Sequence, residues 1–209
     1  MSANNQSAQG GDNHINLYEP HVWKHHTKVA GLEWKNPVGT ASGTFQYAAV
    51  RWFYDVSQLG AVCTKGASPV PWEGNPSPRT AESPAANINA VGLQNPGIDH
   101  YLAEDLPKLK AAGAFVISNV AGHCDDDYAA VVEKLADSDA DMLEINVSCP
   151  NIANLTSLQD KNNLNLILRG LIDFRRGQNQ YRPILLKISP DLTDAQIDDM
   201  IDVLVETGL

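Results

Sequence analysis

The sequence contains no long apolar run. None of its apolar stretches approaches the roughly 18 consecutive residues that a membrane-spanning helix needs. The amino-terminal segment also lacks the apolar core of a secretory signal peptide. We therefore expect a protein of the cytoplasm that is neither inserted in a membrane nor exported.

Cysteine is scarce, and its spacing is uninformative for metals. The 3 cysteines, Cys63, Cys124 and Cys149, are far apart and form no Cys-x-x-Cys pair, which excludes the usual zinc and iron–sulfur patterns. His21, His25 and His26 lie near the amino terminus without a nearby thiol or carboxylate at a fixed spacing, so we predict no metal site there. The cysteines are expected to be reduced thiols.

Basic residues are also few. Lys and Arg number 15 against 25 Asp and Glu, which gives a net charge of -10. Such a field repels nucleic acid and anionic membrane surfaces, so neither is an expected partner. An anionic substrate would need cations placed locally.

The length and composition favour one main domain. A chain of 209 residues with 43% hydrophobic content can build a substantial core. Residues 1–26 have little to bury and are predicted to be a disordered tail, with the main domain covering residues 27–209. A small hairpin is expected over Thr27 to Trp34.

A strand-then-helix rhythm follows the hairpin. Strands are predicted at Val38–Ala41, Ala61–Thr64, Phe115–Ser118, Met142–Val147 and Ile184–Ile188, and helices at Val50–Leu59, Asp99–Ala112, from Asp125, Asn162–Arg176 and from Thr193 to Thr207. The proline-rich stretch from Gly66 to Pro96 is expected to be irregular. Strict alternation indicates parallel strands, and both a doubly wound sheet and a (β/α)8 barrel fit it.

Polar residues stand where the predicted strands end. Ser42, Lys65, Asn119, Asn146 and Lys187 follow or close successive strands. Both architectures bind ligands at the carboxyl ends of their parallel strands. Each residue alone is more often a solvated loop residue, but the whole set predicts a ligand site.

The segment Glu144-Ile145-Asn146-Val147-Ser148-Cys149-Pro150-Asn151 is the most specific part of the chain. A lone cysteine beside proline is more often a small hydrophobic residue than a catalytic one. Here, however, amides and a thiol are offered together at the end of a buried strand. The sequence of this segment resembles the signature of class 1 dihydroorotate dehydrogenases.

Further motifs extend this resemblance from about Thr27 to Leu209, the amino-terminal two-thirds of such enzymes. They are Asn36-Pro37-Val38 with Ala41-Ser42-Gly43, Thr64-Lys65-Gly66, Gly74-Asn75-Pro76-x-Pro78-Arg79, Asn89 to Gly97, and Leu186-Lys187-Ile188-Ser189-Pro190. The stretches Gly92-Leu93-Gln94-Asn95-Pro96-Gly97 and Ser118-Asn119-Val120-Ala121-Gly122 are similar to the 1B branch.

The resemblance implies an FMN-dependent (β/α)8 barrel enzyme, of which this chain covers about the first five βα units. Such enzymes oxidise dihydroorotate to orotate in de novo pyrimidine biosynthesis, with hydride transfer to N5 of FMN. The 1B branch pairs with an electron-transfer subunit that carries FAD and an iron–sulfur cluster and uses NAD. A homodimer or heterotetramer is implied, and fumarate or a quinone stays open as the acceptor.

Site residues follow from the same resemblance. Cys149 resembles the general base. The implied substrate contacts are Lys65, Asn89, Ala90, Val91, Gly92, Leu93, Asn146 and Asn151. The implied FMN contacts are Ala41, Ser42, Gly43, Lys65, Gly66, Asn119, Asn146 and Lys187.

Two departures from the family pattern bear on these expectations. The Gly-Gly pair that usually follows the Cys-Pro-Asn triplet is absent from Ile152-Ala153-Asn154-Leu155-Thr156. The strands that complete such a barrel are absent too, so we expect a piece of a longer protein, or a chain that is insoluble alone. Rival interpretations are a dihydropyrimidine dehydrogenase-like enzyme that reduces pyrimidines and a non-catalytic half barrel.

A thiol base predicts a pH dependence. Because a free cysteine has a pKa near 8.5, turnover by Cys149 should rise with pH as the thiol loses its proton. The measurement is the pH–rate profile. A profile that is flat from roughly pH 6 to 9 would contradict thiolate chemistry.

Overall fold

The structure, a computed structural model, describes residues 26–148, 161–176 and 182–208. It begins with a hairpin of two antiparallel strands, β1 (Thr27–Val29) and β2 (Leu32–Trp34). The turn residues Ala30 and Gly31 have φ values of 48° and 82°, the left-handed conformation that two-residue hairpin turns require. The predicted hairpin is therefore confirmed. Most of the predicted tail lies outside the described residues.

The prediction of the first βα unit is wrong in detail. No strand forms over Val38–Ala41, where a single parallel bridge joins Gly39 to Ala61. The predicted helix Val50–Leu59 is replaced by a short helix, α1 (Tyr47–Val50), and a separate 3-10 turn at Val56–Gln58. The side chain of Asp55 accepts a hydrogen bond from the backbone N–H of Ser57, which competes with a continuing helix.

The next strand, β3 (Val62–Cys63), is as expected, but the excursion after it is not irregular. Two antiparallel strands, β4 (Thr80–Ser83) and β5 (Ala86–Asn89), form a fully exposed hairpin there. Pro84 occupies the turn, and the earlier prolines precede β4, so none interrupts the ladder. The prediction failed because these prolines border the strands.

A helical segment with a π-helical turn replaces the single helix predicted from Asp99. It comprises α2 (Ile98–His100), a π turn at Tyr101–Asp105, and α3 (Leu106–Ala111). Gly113, with φ of 75°, ends it in the left-handed conformation favoured after helices. The following strand, β6 (Val116–Val120), extends past the predicted boundary and includes Asn119.

The remaining units follow the predicted alternation closely. They are α4 (Asp125–Leu135), β7 (Met142–Asn146), α5 (Lys161–Arg176), β8 (Ile184–Lys187) and α6 (Asp194–Thr207). The apolar stripes of α4 and α5 are buried. Helix α6 begins with a capping box, in which the side chains of Thr193 and Gln196 each accept a hydrogen bond from the other residue's backbone N–H.

The central sheet has strand order β3-β6-β7-β8, and every pairing in it is parallel. One face packs on the helices through residues such as Val116, Leu143 and Ile145, which belong to the large apolar core. The opposite face begins with a small apolar cluster that includes Ile117 and Met142, against which the first hairpin packs. In the part of the chain that the structure describes, no helix is long and apolar enough to cross a membrane.

The packing of α4 yields a stability prediction. Leu135 is fully buried in the core, so Leu135→Ala should lower the free energy of unfolding by about 2–5 kcal/mol. Chemical denaturation measures this loss. The control is Glu133→Ala at an exposed position of the same helix, which should change stability by less than about 0.5 kcal/mol. Equal effects of the two substitutions would contradict the packing described for α4.

Candidate active site

The central sheet has one face that is turned away from the helices, and we call it the interior face. This face changes from apolar to polar toward the carboxyl ends of its strands. Successive side chains of a strand point to opposite faces, so Met142, Glu144 and Asn146 share one face of β7. The register places Asn119 opposite Glu144 and Asn146 opposite Lys187. The sheet therefore gathers amides, a carboxylate and an ammonium group at one end.

Glu144 connects two strands through its carboxylate. Its Oε1 accepts a hydrogen bond of 2.6 Å from Nδ2 of Asn119, whose side chain is almost fully buried. The Cys63 thiol lies 3.4 Å from the same oxygen and donates to it. Burial, and next the negative charge of Glu144, raise the pKa of Cys63, so this thiol stays protonated at neutral pH.

Asn146 continues the series toward β8. Its Nδ2 lies 3.5 Å from Oδ1 of Asn119. Its Oδ1 accepts from the backbone N–H and the hydroxyl of Ser148, at 3.1 and 2.8 Å. Lys187 donates from Nζ to the hydroxyl of Ser148. We call Lys187, Ser148, Asn146, Asn119 and Glu144 the polar series.

The backbone of Asn146 is held from the helical side. The hydroxyl of the fully buried Tyr128 donates to the carbonyl oxygen of Asn146 at 2.8 Å. Helix α4 therefore braces the strand end that carries the central amide of the polar series.

A cleft of about 740 Å³ opens beside the polar series. Its walls carry the cations of Arg51, Lys65 and Lys108 and the carboxylate of Asp105, together with His100, so positive charge prevails locally in an acidic protein. Thr64 and Gly66 line the cleft and also contact Asn119. The cleft thus borders the polar series without enclosing it.

Tyr101 forms part of the cleft wall and stays neutral there. Its hydroxyl lies 2.5 Å from that of Ser118, and burial raises its pKa to about 12. It can therefore offer hydrogen bonding but no charge at neutral pH.

The structure brings most of the predicted FMN contacts together. Gly66 packs against Asn119, and Gly43 lies beside the Lys65 side chain. The side chain of Ser42 acts on the thiol of Cys63 and lowers its pKa, against the larger effect of burial. Ala41, also predicted, is exposed on the same loop.

The predicted substrate segment from Asn89 to Leu93 is only partly at the site. Leu93, with φ of 51°, is buried and approaches Gly66, and Val91 lines the cleft. Gly92 packs closely on Asn75. Asn89 and Ala90 are exposed at the end of β5 and just beyond it.

Two predicted residues and two unpredicted ones complete the inventory. Cys149 and Asn151 lie outside the described residues. Glu144 and Ser148 were not predicted as site residues. The available signal was a single charged residue inside a buried strand, two positions before Asn146 and so on the same face.

Comparisons with known proteins assign the chain to a family. The model of the family described as Dihydroorotate dehydrogenase matches residues 24–209. The chain belongs to the dihydroorotate dehydrogenase family. The predicted resemblance is thereby confirmed.

Individual relatives agree with this assignment. The chain is 41% identical over 172 residues to the "Dihydroorotate dehydrogenase B (NAD(+)), catalytic subunit" of Alkaliphilus metalliredigens, covering 79% of this chain and 54% of the relative. It is 39% identical over 183 residues to a provisionally named dihydroorotate dehydrogenase A (fumarate) of Aquifex aeolicus, covering 87% of this chain and 58% of the relative. The chain therefore spans a little over half the length of these relatives.

A solved structure supports the fold. The crystal structure of DHODH from Eimeria tenella in complex with ferulenol is 26% identical, with a TM-score of 0.72, and the match covers 88% of this chain and 57% of that chain. Together with the parallel order β3-β6-β7-β8, this confirms the α/β fold of the (β/α)8 barrel type, of which the chain forms part.

The contact between Gly66 and Asn119 yields a second prediction. A methyl group at residue 66 would stand 2.6 Å from Oδ1 of Asn119, which the polar series holds in place, so Gly66→Ala should destabilise the fold by about 1–3 kcal/mol. Thermal and chemical denaturation measure this cost. As the control, Gly170→Ala in α5 meets no atom within 4 Å and should be neutral or stabilising by up to about 1 kcal/mol. A neutral Gly66→Ala would show that the contact can relax freely.

Proposed function

We propose that this chain carries the catalytic site of an FMN-dependent dihydroorotate dehydrogenase that forms orotate in de novo pyrimidine biosynthesis. The observation that carries the proposal is the polar series at the carboxyl ends of β6, β7 and β8. The series includes Ser148, which is next in sequence to Cys149. Family membership supplies the reaction class.

The residues present suit a flavin. A flavin ring offers carbonyl oxygens and a ring nitrogen that gain negative charge on reduction, and amide N–H groups and a lysine stabilise such atoms. Asn119, Asn146 and Lys187 supply these donors, and Gly66 leaves room for close approach because it has no side chain. When bound, FMN supplies the hydride acceptor at N5. Ser42, Gly43 and Ala41 border the same region.

The cleft suits an anionic substrate. Arg51 and Lys65 give its wall the local positive charge that a carboxylate needs in an acidic protein, whereas Lys108 is paired with Glu104 at 2.8 Å. Lys65 also stands at the end of β3, beside the polar series, so we assign to it the carboxylate of dihydroorotate. Cys149 is proposed as the base that removes the ring proton, and Asn151 as a further amide contact.

Electron transfer to NAD through a second subunit is proposed on the relatives' names. The Alkaliphilus relative is named as an NAD(+) catalytic subunit, which implies a separate subunit for electron transfer. The Aquifex relative, named for fumarate, is the alternative acceptor type. A homodimer or a heterotetramer is proposed from the family resemblance.

Substrate choice tests the proposal. The chain loaded with FMN, held without oxygen, should lose its visible flavin absorbance on addition of dihydroorotate and keep it with dihydrouracil, which has no carboxylate. A flavin that responds equally to both would favour a pyrimidine-reducing relative. A folded chain that binds no FMN would favour a non-catalytic half barrel.

Lys65→Gln tests the cationic contact. Loss of a charge-assisted hydrogen bond to the carboxylate should weaken orotate binding by about 10- to 100-fold while FMN binding changes less. The measurement is titration of the flavin spectrum with orotate. The control is Lys28→Gln at an exposed position of the β1–β2 hairpin, which should leave orotate affinity unchanged. Unchanged orotate affinity in Lys65→Gln would contradict the assignment.

A further inference from the structure

Glu144 is a charged side chain on the interior face of a strand whose neighbours are buried. It lies between Cys63 and Asn119, and both donate to the same oxygen of its carboxylate. A carboxylate accepts hydrogen bonds and cannot donate them. Any amide that faces it must therefore present its nitrogen.

This constraint passes along the polar series. Because Asn119 turns its nitrogen to Glu144, its oxygen must point the other way, toward the nitrogen of Asn146. Asn146 then turns its oxygen to the backbone N–H and the hydroxyl of Ser148. Each amide orientation follows from the one before it.

The other end of the polar series also has a fixed hydrogen-bond direction, because its groups can only donate. A lysine ammonium group and a backbone N–H donate and never accept. Lys187 donates to the Ser148 hydroxyl, which leaves that hydroxyl's own hydrogen for Asn146. Every bond in the series therefore runs in one direction, from the cation of Lys187 to the anion of Glu144.

We infer that Glu144 is a positioning residue that, together with the backbone N–H of Ser148 at the other end, fixes the direction of this hydrogen-bond series, and that it holds the orientation of the Asn119 amide. An amide group has two N–H bonds, and the series uses one on each asparagine. The second N–H of Asn119 and of Asn146 is left for a ligand carbonyl, while the oxygen of Asn146 already accepts two hydrogen bonds. The identity of that ligand, a flavin or pyrimidine carbonyl, rests on the proposed function.

Glutamine at residue 144 would remove the constraint without changing side-chain size. Its amide can donate or accept, so Asn119 could turn its oxygen toward it, while the backbone N–H of Ser148 would still hold Asn146. The site would then lose its single orientation. Aspartate would keep the charge but retract the carboxylate by one methylene.

The first test needs no ligand. In nuclear magnetic resonance spectra of the full chain, the side-chain amide hydrogens of Asn119 should exchange with solvent about ten-fold faster in Glu144→Gln than in the wild type, and those of Asn146, which Ser148 still holds, should change less. Glu144→Asp should show a smaller increase. Glu133→Gln, the same change at an exposed position of α4, should match the wild type. Unchanged exchange in a folded Glu144→Gln would overturn the inference. If Glu144→Gln does not fold, unchanged exchange in Glu144→Asp, whose shorter side chain retracts the carboxylate, would overturn it.

The second test measures ligand affinity. With FMN bound, Glu144→Gln should weaken orotate binding by about ten-fold or more, and Glu144→Asp should weaken it less. Faster exchange of the side-chain amide hydrogens together with unchanged orotate affinity would overturn the positioning role. A wild type that binds neither FMN nor orotate refutes the proposed function instead, and the exchange measurement then decides on the hydrogen-bond direction alone.

Discussion

The parallel register of β6, β7 and β8 is the constraint on which the site depends. Pairing Asn119 with Glu144 and Asn146 with Lys187 makes neighbours of residues that are distant in sequence. A slip of one residue would turn each of these side chains to the helical face. That face is packed with residues such as Leu143, Ile145 and Tyr128, where an unpaired polar group would be costly. The apolar core on one face thus fixes the polar site on the other.

The interior face accommodates polar groups because each of them is paired. Asn119 and Asn146 are 1% and 5% exposed, yet both amides have partners on neighbouring strands or in the loop after β7. A buried amide without a partner would cost roughly 1–3 kcal/mol. The opposite charges of Lys187 and Glu144 at the two ends of the polar series reduce the cost of burying either one. The stability of this end of the sheet and the geometry of the site therefore have one origin.

Much of this organisation is predictable from local sequence patterns. The apolar stripes of α4 and α5, the capping box at Thr193 and the turn at Ala30-Gly31 follow from short-range rules, and the structure contains all of them. The β4–β5 hairpin was not predicted because it is fully exposed and lacks the alternation that a half-buried strand shows. The helix expected after Val50 failed because Trp52 and Phe53 are exposed and face no partner layer in the part of the chain that the structure describes.

The residues of the candidate site also divide into those that the sequence predicts and those that it does not. Residues that end strands, such as Lys65 and Lys187, are predictable from strand positions and motifs. The role of Glu144 depends on which strand lies beside β7 and in which register, and a single sequence does not contain that information. The charged residue inside an apolar run marked the position, but its partners Asn119 and Cys63 are known only from the folded sheet.

The most direct test of the account is backbone hydrogen–deuterium exchange of the chain with and without FMN and orotate. The account predicts that ligand slows exchange at the carboxyl ends of β3, β6, β7 and β8, near Lys65, Asn119, Asn146 and Lys187. The β1–β2 hairpin, which packs on the apolar cluster that includes Ile117 and Met142, should be unaffected. Protection confined to other parts of the chain, or no protection at saturating ligand, would contradict the claim that these strand ends form the active site.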